Sequence, residues 1–98
     1  MIKVDLKNEN KVIISGHALF SSFGTDIVCA SVSSIVITTI NDILSIDNEA
    51  IEYESESGKV VIEIKKDSDI VNILIDNMIL LLESLEKDYS ENIKIIRR

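Results

Sequence analysis

The sequence predicts an α+β domain in which two helices pack against a mainly antiparallel sheet, in the order β-β-α-β-β-α-β. Three observations lead to this class. Short segments alternate apolar and polar residues, turn residues join these segments in pairs, and two longer segments carry apolar residues at helical spacing. The chain has 98 residues, too few for two independent cores, so residues 1–98 are expected to form a single domain.

The first pair of strands is expected at the start of the chain. Apolar and charged residues alternate over 2–7, and Asn8-Glu9-Asn10 is typical of a turn. A second strand is expected over 11–15. It should end at Gly16, where the backbone can leave the β region without a steric penalty.

A loop and a helix are expected next. Residues 16–25 contain two glycines and several small polar residues without a steady period, which favours a loop. Asp26 is a suitable N-cap, and apolar residues then recur at helical spacing from Val28 to Leu44. We therefore predict a helix from about Asp26 to Ser45.

The second half of the chain repeats this plan. Alternating residues over 51–65, with a turn at 56–58, predict another hairpin. Asp67-Ser68-Asp69 supplies capping oxygens and negative charge for a helix that continues to about Asp88. Ile93 and Ile95 predict a last short strand.

The second helix is apolar on more than one side, since Ile73, Ile79 and Leu80 lie away from its main apolar stripe. A helix that is apolar all round must be buried all round. In so small a domain another copy of the chain is the simplest cover, so we predict a homodimer.

The charge balance restricts the partners. Seventeen acidic residues against ten basic ones give a net charge of −7, which argues against nucleic-acid binding, because phosphate contacts need clustered Lys and Arg. A basic peptide or protein is a better partner. Four glutamates in the second hairpin could attract it or form an ordinary solvated face: Glu52, Glu54, Glu56 and Glu63.

The expected location is the cytoplasm. One cysteine permits no internal disulfide, and residues 1–6 lack the apolar run of a signal peptide. The apolar stretch over 70–82 is interrupted by polar residues and is shorter than the roughly 20 residues that cross a bilayer. We therefore expect no membrane contact.

One histidine and one cysteine flank the predicted loop, and they are the residues most able to carry chemistry. Cys29 is expected near the third position of the first helix, where free N–H groups and the helix dipole favour a thiolate and could hold an oxyanion. His17, if folded back over the helix start, could take the thiol proton and return it to a leaving amine. On spacing alone, a packed cysteine and an ordinary loop histidine are the more common interpretation of such a pair.

The residues around this pair form a longer motif. Gly-His-Ala stands at 16–18, and after a spacer Gly-x-Asp-Ile-Val-Cys-Ala stands at 24–30, followed by small and aliphatic residues and Ser33. This run resembles the signature of the ribosomal-processing cysteine protease (Prp) family. Ser21 and Ser31 stand where that family more usually carries Ala, both small for small.

The resemblance implies a bacterial cytosolic endopeptidase that removes a short N-terminal extension from the twenty-seventh large-subunit ribosomal protein. It implies that Cys29 is the nucleophile and His17 the general base, and that Gly16 and Gly24 give the intervening loop its freedom. It also implies cleavage after an aromatic residue and before a basic stretch, which suits an acidic enzyme.

Other residues of the motif have two possible roles each. Asp26 could orient His17 or contact the substrate, or simply cap the helix. Ser33 lies one turn after Cys29 and could touch the site or be an ordinary helix serine. Phe20 and Phe23 could cover the active site, line a pocket for an aromatic side chain, or pack beneath the loop.

No cofactor or metal is expected. Zinc needs three or four ligands, and the sequence offers no soft partner beyond His17 and Cys29. Glycine-rich phosphate loops and dinucleotide motifs are also absent from the sequence. The alternative function is a noncatalytic, ribosome-associated binding module whose acidic surface holds a basic protein and whose thiol is incidental.

Overall fold

Two helices pack on one face of a five-stranded sheet in the computed structural model. It describes residues 1–16, 23–56 and 58–97, with the backbone but not the side chains of 23–26. The element order confirms the predicted fold class. The elements are β1 (Ile2–Asn8), β2 (Lys11–Ser15), α1 (Phe23–Ile46), β3 (Ile51–Glu56), β4 (Lys59–Ile64), α2 (Asp69–Asp88) and β5 (Ile93–Arg97).

The sheet has the strand order β3-β4-β2-β1-β5. Its two hairpins join antiparallel through β2 and β4, while β5 pairs parallel with β1 at one edge. The sheet is therefore mixed but mainly antiparallel, as predicted. Both predicted hairpins form, and the register of β1 shifts between Asp5 and Asn8, where it approaches its turn.

The core lies between the sheet and the helices. Alternate residues of each strand face the helices, so the register stacks Val4 beside Ile14 and Val12 beside Ile62. The largest fully buried side chains come from every part of the chain: Ile43, Ile62, Met78, Leu82, Ile93, Val4, Val28 and Val71. The domain therefore has one continuous core, to which both helices contribute.

Helix α1 begins at Phe23, three residues earlier than predicted. The prediction that Asp26 is the N-cap is wrong, because Asp26 is the fourth residue of the helix. Gly24 and the neighbouring small polar residues give this first turn the composition of a loop. Once a helix exists, each further residue adds a hydrogen bond at little cost, and one glycine costs only about 1 kcal/mol.

Helix α1 is also the more apolar of the two helices. Residues Ile27–Ile46 are long and apolar enough, by length and composition, to cross a membrane. However, the stripe formed by Val28, Val32, Val36 and Ile40 is buried in the core. Such a stripe is what a core helix needs, and it accounts for this composition within the fold.

Helix α2 begins and ends where the sequence predicts. Ser68 occupies the N-cap position, but its side chain makes no capping hydrogen bond, so that part of the prediction is wrong. Instead, the Asp67 carboxylate accepts a hydrogen bond from the side-chain amide of Asn72 at 3.2 Å. The helix buries Val71, Ile75, Met78 and Leu82.

The opposite side of α2 carries a stripe of four exposed apolar residues. The exposed fractions of Ile73 and Leu80 are 64% and 62%. Ile79, in contrast, packs partly against the core. We call this stripe the outer α2 face: Ile70, Ile73, Leu80 and Leu81.

The two edges of the sheet are finished differently. At β5, the carboxylate of Glu86 in α2 accepts a hydrogen bond from the backbone N–H of Ile95 at 2.7 Å. This contact occupies a donor that an edge strand would otherwise leave open. At the other edge, β3 carries glutamates at 52, 54 and 56, all of them exposed.

The turn between α1 and β3 is fastened to the end of β4. Asp47 accepts a hydrogen bond from the backbone N–H of Glu49 at 2.9 Å and another from the Lys66 ammonium at 3.0 Å. The first bond, and then the cation, lower the pKa of Asp47 below its ordinary 3.8. This carboxylate is therefore stabilising in its charged form.

We predict that Asp47→Asn lowers the stability of the protein slightly at neutral pH. The folded-state pKa of Asp47 is below the unfolded value of about 3.8, so its contribution is present above that value and is lost as the pH falls through the folded-state pKa. Chemical denaturation at pH 7 and pH 3 measures this. Asp42→Asn, on an exposed position of α1, is the control. A destabilisation by Asp47→Asn that is equal at both pH values would contradict the assignment.

Candidate active site

A cleft of about 280 Å³ opens between α1 and the β3–β4 hairpin. We call it the α1 cleft. One wall is a flank of α1, and the opposite wall is the hairpin with the end of β2. Its lining residues are Ile2, Ile14, Gly16, Cys29, Val32, Ser33, Val36, Ile37, Ile40, Tyr53, Ser55, Glu56, Gly58, Lys59 and Val60.

Cys29 lies in this cleft with its thiol free. Its side chain is partly buried and packs against the core cluster. Ser33, one helical turn further along the same flank, also lines the cleft and is exposed. The structure therefore brings three of the predicted site residues, Gly16, Cys29 and Ser33, to one surface.

The early start of α1 changes the surroundings expected for the thiol. Cys29 is the seventh residue of the helix, not the third. Only the first few N–H groups of a helix lack intrahelical partners, and the effect of the dipole fades beyond the first turn. The hypothesis that these groups activate Cys29 and hold an oxyanion is therefore wrong for this structure.

Gly16 joins the cleft to the end of β2 in a conformation that only glycine fits. Its φ is +101°, and an added Cβ would lie 2.2 Å from the backbone oxygen of Met1. Its N–H donates a hydrogen bond to the Gly58 carbonyl at 3.0 Å. Gly16 is thus held between two backbone segments, and the chain continues from it directly into His17.

Several predicted site residues lie outside the described part of the chain. These are His17 and Phe20, and also the side chains of Phe23 and Asp26. The backbone of Gly24 is described and lies in the first turn of α1. The prediction that Gly24 and Phe23 belong to the loop is therefore wrong.

The hairpin wall supplies residues that sequence reasoning did not assign to the site. Tyr53 and Ser55 face the helix from β3, and Lys59 lies across from Glu56 at the end of the hairpin. Ile37 belongs to the helix wall. The sequence signal for this wall was the alternation of Ile51 and Tyr53 with glutamates, which places Tyr53 on the same face as the buried Ile51.

The four glutamates of the second hairpin are not equivalent. Hydrogen bonds and charge from Lys65, followed by Lys11, lower the pKa of Glu63, so its charge is already paired. Glu52 shares Lys65 at 3.7 Å. Within the described residues Glu54 and Glu56 form no ion pair, which leaves their negative charge available to a basic ligand.

Among the described residues, which do not include His17, no three His, Cys, Asp or Glu side chains form a group that could hold a metal ion. A partly buried thiol on the wall of an open cleft can act as a nucleophile beside a binding groove. Fold and site together thus define a small α+β protein with a candidate cysteine nucleophile.

The comparison with known proteins specifies this class further. The family described as cysteine protease Prp matches residues 1–94, and the chain belongs to this family. A ribosomal processing cysteine protease Prp from Staphylococcus aureus is 32% identical, over 97% of each chain. The protein of that name from Bacillus subtilis is 28% identical, over 84% of this chain and 80% of the relative.

A solved structure shows the same fold. The crystal structure of an essential ribosomal processing protease Prp from S. aureus, in complex with a covalently linked product peptide, superimposes with a TM-score of 0.88. It covers the whole of both chains at 28% identity. The resemblance inferred from the motif is confirmed, and so is membership of a family of cysteine proteases.

We predict that Gly16→Ala destabilises the protein by about 2 kcal/mol or more, because the new methyl group meets strain at positive φ and a backbone oxygen as well. Thermal or chemical unfolding measures the loss. Gly58, with φ of +78°, provides the matched control, since Gly58→Ala estimates the conformational strain at about 1 kcal/mol. Equal losses in the two variants would show that the Met1 contact contributes nothing.

Proposed function

We propose that this protein is an endopeptidase that removes an N-terminal extension from the precursor of the twenty-seventh large-subunit ribosomal protein. Cys29 is the nucleophile and His17 the general base. The observation that carries the proposal is the position of the free Cys29 thiol in the α1 cleft, which Gly16, the residue before His17, also lines. The cytoplasm is the proposed location, because a lone thiol stays reduced there.

The proposed reaction is acyl transfer in two steps. The Cys29 thiol gives its proton to the His17 imidazole, and the thiolate attacks the carbonyl carbon of the scissile peptide bond. The C–N bond then breaks, and the imidazolium protonates the leaving amine. A water molecule, deprotonated by His17, hydrolyses the thioester and releases the N-terminal fragment and free Cys29.

Charge supports a basic substrate. The chain has a net charge of −7, and Glu54 and Glu56 lie exposed on β3 without an ion pair among the described residues. Of these two, Glu56 also lines the cleft. Glu56 and the acidic surface as a whole would attract the basic stretch that the family resemblance implies after the cleaved bond.

The roles proposed for the other motif residues follow the same argument. Ser33 lines the cleft one turn from the nucleophile, so it is placed to contact the substrate backbone. Asp26 is proposed to orient His17 or contact substrate, and Phe20 and Phe23 to cover the site or line a pocket.

We predict that purified protein converts the ribosomal protein precursor into a single shorter product by loss of one N-terminal fragment. Mass spectrometry of the mixture gives the cleaved bond directly. Cys29→Ala should leave the precursor intact because it removes the nucleophile. His17→Ala should keep its fold, measured by circular dichroism, and lose activity because no base remains to take the thiol proton.

Two outcomes would contradict the proposal. Wild-type turnover by His17→Ala would remove the general base. An intact precursor that co-purifies equally with wild type and Cys29→Ala would favour the noncatalytic, ribosome-associated binding module, in which Cys29 is only a packing residue.

We also propose that the protein is a homodimer that buries the outer α2 face. Ile73 and Leu80 in this stripe are each more than half exposed. A continuous apolar stripe on a helix is usually buried against another surface. A second copy presenting the same stripe would cover both surfaces at once, as two-fold interfaces do.

We predict that Leu80→Lys converts the protein into a monomer, because a charge would then be buried at the centre of the interface. Sedimentation velocity measures the mass. Ile46→Lys is the matched control, since Ile46 is also about half exposed but lies at the end of α1. A wild-type monomer, or a dimer that persists in Leu80→Lys, would contradict this interface.

A further inference from the structure

The α1 cleft extends well beyond the thiol in one direction. Its lining on the helix runs from Cys29 through Ser33 and Ile37 to Ile40. At about 1.5 Å per residue, Ile37 lies about 12 Å from Cys29 along the helix axis. An extended peptide advances about 3.3 Å per residue, so this distance corresponds to three or four substrate residues.

The opposite wall gives the same distance. Strand β3 begins at Ile51, shortly after α1 ends at Ile46, and it ends at Glu56, which pairs with Lys59 beside Ser15 at the end of β2. Its end therefore lies on the Gly16 side of the cleft, and its earlier residues lie toward the C-terminal part of α1. Tyr53 is three residues before Glu56, about 10 Å along the strand. Ile37 and Tyr53 thus line opposite walls of the cleft, each about 10 to 12 Å along its own element from Cys29 or Glu56.

This distal part of the cleft is apolar and open. Ile37 and Tyr53 are 56% and 49% exposed, whereas Ile40, which also lines the cleft, is only 5% exposed. The glutamates of β3 alternate with Tyr53 along the strand, so Glu52 and Glu54 point to the opposite face of the sheet. Two large apolar side chains thus flank a groove that carries no charge at this point.

We propose that Ile37 and Tyr53 form a distal specificity subsite that binds an apolar side chain three or four residues upstream of the cleaved bond. The inference rests on the proposed function, because it places substrate in the α1 cleft with its reacting carbonyl at Cys29. The upstream segment is the occupant because a basic downstream segment would lose its hydration on this apolar surface without a carboxylate to pair with.

The subsite also serves the second step of the reaction. After the leaving amine departs, the upstream fragment stays attached to Cys29 as a thioester, and only upstream contacts hold it in place. Contacts at a distance from the bond position the reacting carbonyl by using binding energy from a part of the substrate that does not react.

The test is peptide binding to Cys29→Ala, which does not depend on turnover. A fluorescent peptide spanning the cleavage site is compared with variants in which each of the five upstream residues is replaced singly by Ala. Removing the apolar side chain at position three or four upstream should weaken binding on the order of tenfold. The double variant Cys29→Ala/Ile37→Ala should bind the parent peptide about as weakly, and it should no longer distinguish the parent peptide from the peptide substituted at that position.

Ile46→Ala is the matched control, because Ile46 is a half-exposed isoleucine of the same helix outside the cleft. Ile46→Ala and Tyr53→Phe should still bind the peptide substituted at position three or four more weakly than the parent peptide. Tyr53→Ala should bind the two peptides equally. The proposal is overturned if the Ile37→Ala and Ile46→Ala backgrounds give the same profile, or if no background binds the peptide.

Cleavage by wild type is measured separately on the same peptides. Binding that depends on Ile37 without cleavage would overturn the protease and leave the distal subsite standing as part of a peptide-binding groove. If wild type cleaves the peptides and Ile37→Ala cleaves every one of them with the same efficiency, the subsite is overturned and the protease proposal stands.

Discussion

The packing of α1 against the sheet is the contact on which the rest of the molecule depends. Val28, Val32, Val36 and Ile40 bury one stripe of the helix, and this burial fixes the rotation of the helix about its axis. Cys29 follows Val28 directly, so the thiol is set at the flank of the buried stripe. Every fourth residue after it then falls on the same flank, which places the polar Ser33 before the apolar Ile37.

A second constraint brings the other wall to this flank. Gly16 passes so close to the Met1 carbonyl that no side chain fits, and its N–H bonds to Gly58 in the neighbouring hairpin. The end of β2 and the tip of the β3–β4 hairpin are thereby tied together. The glycine that opens the motif thus has a structural reason, which is the close approach of three backbone segments beside the cleft.

Much of the fold could be predicted because it depends on local periodicity. Alternation identified the strands, and helical spacing identified α2 to within a residue of its ends. The start of α1 was missed because Phe23, Gly24 and Thr25 have the composition of a loop, although a helix that is already anchored by Val28 and Val32 extends backward at little cost. Cys29 was identified from its motif rather than from its surroundings, which the structure alone supplied.

The rest of the site depended on strand order, which no local pattern contains. Tyr53 and Lys59 reach the cleft only because β4 pairs with β2, so that the second hairpin lies beside α1. Likewise, Glu63 and Glu54 look alike in the sequence. Only the register across the sheet shows that Glu63 has lysine partners and that Glu54 has none among the described residues.

The unpaired edge of β3 has a consequence for solubility. An open edge strand invites the same edge of another molecule to add to it, which is how sheets grow into aggregates. Here the exposed residues of that edge include glutamates at 52, 54 and 56, so two copies pairing edge to edge would bring like charges close together. The net charge of the whole chain falls to zero at the isoelectric point of about 4.5. The protein should therefore be most prone to precipitate near that pH, where repulsion between whole molecules is weakest.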